Sequence, residues 1–147
     1  MSQLLIDATT SLLNYVPLIN QYLPVASSQK PSIGEMSHLV RLAGVSGALA
    51  ISLGAYGSHV LRDSPNASDR RKTAFETGNR YHLIHSLALL ASSKARYPRV
   101  TATLLATGML LFSGPCYHYA ITGKEDVRKF TPIGGVTLIL AWLSFVL

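Results

Sequence analysis

The chain has 147 residues, a formal net charge of +6, a single cysteine and a positive mean hydropathy. That length holds one domain at most, and the lone Cys116 excludes an intramolecular disulfide and any CxxC or cysteine-cluster zinc pattern. The basic residues stand in short clusters between apolar runs instead of covering a polar face, which argues against nucleic acid as a partner and for topology signals and contacts with anionic lipid.

Residues Met1 to Met36 mix apolar side chains (Leu4, Leu5, Leu12, Leu13, Tyr15, Val16) with Asn, Gln, Ser, Pro17 and Pro24. The spacing predicts a short amphipathic helix over about 4–15, then a linker at Ser27 to Gly34. The segment lacks the basic start and clean apolar core of a secretory signal. It also lacks the early arginines of a mitochondrial presequence, since the first arginine is Arg41. Residues 1–36 are therefore read as an N-terminal extension, partly helical or disordered, that contacts a surface or a partner.

A four-helix domain is expected over 37–147, with helices at about 39–60, 70–94, 99–121 and 131–147. The first, Leu39 to Val60, reaches roughly 33 Å at about 1.5 Å per residue, enough for a hydrocarbon core of about 30 Å. Ser46, Ala50, Gly54 and Ser58 recur every four residues along it, with Gly47 on the adjoining face. Small residues at that spacing let helices approach closely where lipid removes the hydrophobic drive for pairing. Leu61 to Arg80 is polar. Asp69 is one possible helix cap and the Thr73–Glu76 pair, spaced as a capping box, is another. Asn66-Ala67-Ser68 matches the glycosylation pattern and is read as a chance match.

Tyr81 to Ser93 holds only 13 uncharged residues between Arg80 and Lys94, about 20 Å of helix, so it crosses a bilayer only if those two side chains snorkel. Val100 to Ile121 carries no formal charge, and Gly114-Pro115 predicts a bend and a freed carbonyl. In the last run, Thr131 is the expected N-cap and Pro132 the first helical residue; Gly134 and Gly135 are read as close helix packing. If all four runs cross, eight basic residues face one side and five, among them Lys30, face the other. That bias puts both termini away from the cytoplasm or matrix.

The same topology gathers His59, His82, His85 and His118 near one membrane surface, with Cys116, Tyr81, Tyr117, Tyr119, Glu76 and Asn79. Two readings stand. Histidine and tyrosine anchor helix ends at the headgroup boundary; alternatively, the four histidines form a polar or metal cluster, binding a metal, a haem or a redox cofactor or relaying protons. His85, a full turn inside the run, needs a partner such as a Ser hydroxyl or a backbone carbonyl of the first helix. Cys116 reads as a small core residue. There is no Walker motif, GxGxxG turn, HExxH or nucleophile elbow. Hence no enzyme is expected, and no cofactor is identified.

The stretches RLAGVSGALAISLGAYGSH, FETGNRYHLIHSLALL, LLATGMLLFSG and TPIGGVTLILAWLSFVL together resemble the transmembrane protein 256 family, small multi-pass membrane proteins with bacterial relatives. The resemblance runs from about Arg41 to Leu147 and includes His59, His82 and His85. It implies four membrane helices, a mitochondrial inner-membrane location for animal members and no established activity. The sequence expectation is thus an all-α integral membrane four-helix bundle with an N-terminal extension. Its partners are the lipid bilayer and other membrane-protein subunits, in an accessory or assembly role. The His-based cofactor protein is the alternative.

Overall fold

The computed structural model describes residues 33–147, so the expected extension lies outside the described residues except for 33–36. The described chain is all helical: α1 (Ile33–Tyr56), α2 (Asp69–Ala91), α3 (Pro98–Thr122) and α4 (Thr131–Leu143). Each packs chiefly on its neighbours in sequence, α1 on α2, α2 on α3 and α3 on α4. The pairs are antiparallel. The start of α3 meets the end of α4 where Thr101 Oγ1 and Ser144 Oγ lie 2.8 Å apart, and the start of α2 meets the end of α3 through Arg71.

Local chemistry explains most of the boundaries. α1 begins before the expected 39 and continues into a π-helical turn, Gly57–Leu61, closed by Arg62 N–H donating to Gly57 O at 3.0 Å. α2 starts at Asp69 after Ser68, whose backbone is extended. Neither expected side-chain cap forms; the Ser68 carbonyl accepts from Arg71 N–H and Lys72 N–H. Asp69 still favours the start, a carboxylate beside the positive helix end. Pro98 opens α3, and Gly123, at φ 74°, closes it with its N–H on Tyr119 O at 2.8 Å. At α4 a 3-10 turn, Arg128–Phe130, feeds straight into the helix. Phe130 takes the N-cap place assigned to Thr131, which is already helical. The far end stops at Leu143 instead of Leu147, because Phe145 and Val146 tighten onto Trp142 O and Leu143 O.

α3 runs unbroken through Pro115. Proline has no N–H for the carbonyl four residues back, Leu111 O. α4 covers that carbonyl: a Cβ on Gly134 would stand 2.8 Å from Leu111 O and 2.5 Å from Leu111 C and Phe112 N. Only a glycine lets the two backbones come this close, and its Cα–H can face the freed oxygen.

Two apolar clusters occupy opposite ends of the bundle. Ala43, Ala88, Leu89, Ala102, Leu105, Met109, Leu138 and Ala141 draw on all four helices. Leu61, Ala67, Phe75 and Ala120 form the smaller one beside the 62–68 loop. The outer surface is apolar as well: Val45, Ile51, Leu87, Leu110, Ile139 and Leu143 are all more than half exposed. Among the described residues two helical segments, His38–Leu61 and Pro98–Thr122, are long and apolar enough to cross a membrane. α2 fails that test because Asp69 to Lys72, Glu76 and Arg80 charge its first half. α4, at 13 residues, spans only about 20 Å.

Candidate functional site in a polar layer between the helices

Between the two apolar clusters, α1, α2 and α3 are joined by a run of hydrogen bonds. Asn79 Nδ2 donates to Ala50 O at 2.7 Å and to Tyr117 OH at 3.1 Å. Tyr117 OH lies 3.2 Å from His82 Nδ1, and His82 Nε2 lies 3.2 Å from Ser46 Oγ. Ser46 Oγ is 2.7 Å from Ser86 Oγ, which donates to His82 O at 2.8 Å. About two helical turns of α2 thus present Asn79, His82 and Ser86, spaced three and four residues apart, to one pair of neighbouring helices.

The direction of every bond follows from its last member. A carbonyl only accepts, so Ser86 spends its proton on His82 O and accepts from Ser46, whose hydroxyl meets the Ser86 oxygen at 2.7 Å and the weaker acceptor Met109 Sδ only at 3.9 Å. Ser46 then accepts from His82 Nε2–H, which leaves Nδ1 as an acceptor for Tyr117 O–H. Tyr117 in turn accepts from Asn79. The run closes in a peptide carbonyl at one end and a carboxamide at the other, and neither readily passes a proton onward. This arrangement ties three helices together.

His85 belongs to a second tie. Three residues on from His82, it is rotated by about 60° around α2 and faces α4. Its Nδ1 is 2.6 Å from Tyr81 O, and Trp142 Nε1 donates to its Nε2 at 3.1 Å. The indole can only donate, so Nδ1–H donates to the Tyr81 carbonyl. The expected partner on the first helix is replaced by the carbonyl of its own helix and by an indole from the fourth. Tyr81 stacks on His85 and on Phe112, with ring centroids 5.7 and 4.4 Å apart.

The four histidines hence take different surroundings. His82 and His85 each use both ring nitrogens, so neither keeps a lone pair for a metal. His59 is exposed on the π-helical turn, and His118 is half-buried with a buried Nδ1 that has no hydrogen-bond partner. Among the described residues no group of three or more His, Cys, Asp or Glu is placed to hold a metal ion. Cys116 lies against α2, where a Cβ on Gly78 would stand 2.7 Å from Cys116 Cβ.

The small-residue positions divide in a similar way. Ser46 and Ala50 supply polar contacts, and Gly54 makes room for Asn79, whose Oδ1 would lie 3.0 Å from a Cβ there. Gly47 and Gly135 meet ordinary contacts, with Ser86 and Phe112, and Ser58 is exposed. Sequence reasoning missed Gly57, Gly78 and Gly108, where a Cβ would come within 2.5 to 2.7 Å of Phe75, Cys116 and Leu138. It also missed Ser86 and Trp142. The second was within reach, because an indole N–H in an uncharged helix needs an acceptor and His85 needed a partner.

At the end of the bundle that carries the 62–68 loop, Arg71 clamps the close of α3. Its Nε donates to Ala120 O at 2.8 Å, Nη2 to Ile121 O at 2.6 Å and Nη1 to Asn66 O at 3.0 Å. A guanidinium on the last carbonyls offsets the negative helix end. Arg128 and Arg70 lie 4.6 and 5.8 Å from the Tyr119 ring centroid, and both pair with Glu125.

An all-helical protein cross-linked by internal polar contacts and coated with apolar side chains belongs to the class of small helical proteins that have membrane relatives. Residues 53–135 match the model of the protein family of unknown function DUF423, and the chain belongs to that family. It is 32% identical to the UPF0382 membrane protein YwdK of Bacillus subtilis over 118 residues, which cover 76% of this chain and 94% of the relative. It is 33% identical to the UPF0382 inner membrane protein YgdD of Escherichia coli K12 over 106 residues, covering 68% and 79%. A UPF0382 membrane protein of Haemophilus influenzae is 30% identical over 108 residues. No solved structure matches the chain.

Proposed function

We propose that the chain is a multi-pass integral membrane protein in which all four helices cross the bilayer, without catalytic activity of its own, serving as an accessory or assembly subunit of a larger membrane complex. The observation that carries this reading is the inverted surface. Large apolar side chains stand outward on all four helices while serines, an asparagine and two histidines are bonded inside. Water would penalise such a surface and lipid would not. α2 and α4 reach the interfaces through Arg80 and Lys94 and through the turns that extend α4 at both ends.

The accessory role rests on α1. It packs chiefly on α2, and its outer face keeps Gly44, where a Cβ would meet nothing within 4 Å among the described residues, beside Val45, Ala48 and Ser52. A partner helix could lie there as closely as α2 lies on the opposite face. The finer placement, within the transmembrane protein 256 family and in the mitochondrial inner membrane, follows from the motif resemblance, and the membrane relatives support it at the coarser level. Purification of the full chain in mild detergent, followed by mass measurement, tests the role. A species heavier than the monomer plus detergent is expected, and a strictly monomeric, partner-free protein overturns it. Alkaline carbonate extraction tests the membrane reading separately: the chain should stay in the pellet.

A further inference from the structure

A half-open groove of about 320 Å³ lies between the end of α1 and the first half of α2, lined by Gly54, Gly57, Ser58, Arg62, Phe75, Glu76, Asn79 and Arg80. Its floor comes from the π-helical turn. Gly57 admits the Phe75 ring, to which a Cβ would come within 2.5 Å, and Gly54 leaves space for the Asn79 amide. π-helical turns are local widenings of a helix that often accompany ligand sites. What sets this groove apart is its charge.

Arg70, Arg71, Arg96 and Arg128 all have partners inside the fold. The side chains of Arg62, Glu76 and Arg80 make no hydrogen bond or ion pair among the described residues, yet all three line this groove. Asn79 adds an acceptor: its Nδ2 is committed to Ala50 O and Tyr117 OH, while its Oδ1, beside Gly54, accepts no hydrogen bond from the described residues. Two guanidiniums call for a phosphate, which they bind through forked N–H donors. A carboxylate and an amide oxygen call for a cation that can donate hydrogen bonds. A simple anion would be repelled by Glu76, and a simple cation by the arginines.

We infer that the groove binds the zwitterionic headgroup of a phosphoethanolamine lipid, its phosphate on Arg62 and Arg80 and its ammonium on Glu76 and the Asn79 Oδ1. The inference rests on the membrane reading above, which puts the end of the His38–Leu61 segment at headgroup depth. A choline headgroup fits less well, because its quaternary nitrogen has no N–H to give Glu76 or Asn79. Glycerol headgroups lack the cation altogether. Binding would also brace the polar layer, since the same amide that meets the ammonium holds Ala50 and Tyr117 on its other side.

Native mass spectrometry of the full chain in detergent, titrated separately with phosphatidylethanolamine, phosphatidylcholine and phosphatidylglycerol of identical acyl chains, tests this. The expected result is at least a fivefold preference for phosphatidylethanolamine. Arg62→Gln with Arg80→Gln should lower its retention about tenfold, and Glu76→Gln should erase the preference over phosphatidylcholine. Arg41→Gln, outside the groove, should leave binding unchanged. All these positions are exposed, so circular dichroism should report an intact fold for each variant. Soluble glycerophosphoethanolamine, added as a competitor, separates the sources. Displacement of the lipid at equal concentration assigns the site to the free headgroup compound, and failure to displace assigns it to the lipid. Equal retention of all three lipids, or retention unaffected by the groove variants, overturns the inference. Loss of the chain from the carbonate pellet would instead overturn the membrane reading.

Discussion

At the scale of single residues, the two hydrogen-bonded histidines His82 and His85 act as joints whose cost of removal depends on what each leaves unpaired. His85 is only 4% exposed and is the acceptor for Trp142. His85→Ala should lower stability by about 2–4 kcal/mol, through a cavity and a stranded indole N–H. Trp142→Phe keeps most of the ring and strands only Nε2, and should cost about 1–2 kcal/mol. Unfolding in micelles, followed by far-ultraviolet circular dichroism, measures both; equal costs would contradict the assigned bond. For the polar layer, a cycle of His82→Ala and Tyr117→Phe should show a coupling of about 0.5–2 kcal/mol, the range seen for bonded side chains within membranes. A coupling indistinguishable from zero would mean that the 3.2 Å contact contributes nothing.

At the scale of elements, closeness of approach separates glycines that look alike in the sequence. Gly134→Ala forces a methyl group onto the α3 backbone, which cannot give way. It should destabilise the α3–α4 pair by about 1–3 kcal/mol or more. Gly44→Ala meets nothing and should be neutral or stabilise α1 by up to about 1 kcal/mol. Thermal unfolding of the two variants side by side decides this, and similar shifts would refute the packing described. Arg71 works across elements, holding carbonyls 49 and 50 residues away. Arg71→Lys retains the charge but loses the fork. Hydrogen exchange at Tyr119 to Gly123 should therefore speed up in that variant, while exchange in α1 stays as it was.

For the whole molecule, antiparallel neighbours with short connections put the 62–68 and 123–127 links at one end and the 95–97 link at the other. If all four helices cross, a membrane-impermeant thiol reagent should label Asp63→Cys and Lys124→Cys from the same side, and Lys94→Cys from the opposite side, in a Cys116→Ser background. Labelling of all three from one side would show that neither α2 nor α3 traverses. The charged first half of α2 is what makes this worth measuring, because half of that helix reads as soluble and half as membrane.

Sequence alone led to an all-α arrangement of four helices. Apolar runs and Pro132 at a helix start depend on neighbours within a turn or two, which is the range over which capping and backbone preference act. It also marked His85, a full turn inside an apolar run, as needing a partner, and grouped His82, Asn79 and Tyr117 near the same surface. Which partner was decided only in three dimensions. The 60° between His82 and His85 sends one to Ser46 and Tyr117 and the other to Trp142. The carbonyl freed by Pro115 is met by Gly134, and Arg62, Glu76 and Arg80, unpaired among the described residues, share one groove. Hydrogen bonds and close contacts act over about 3 to 4 Å, and only packing brings residues 30 to 60 positions apart within that distance.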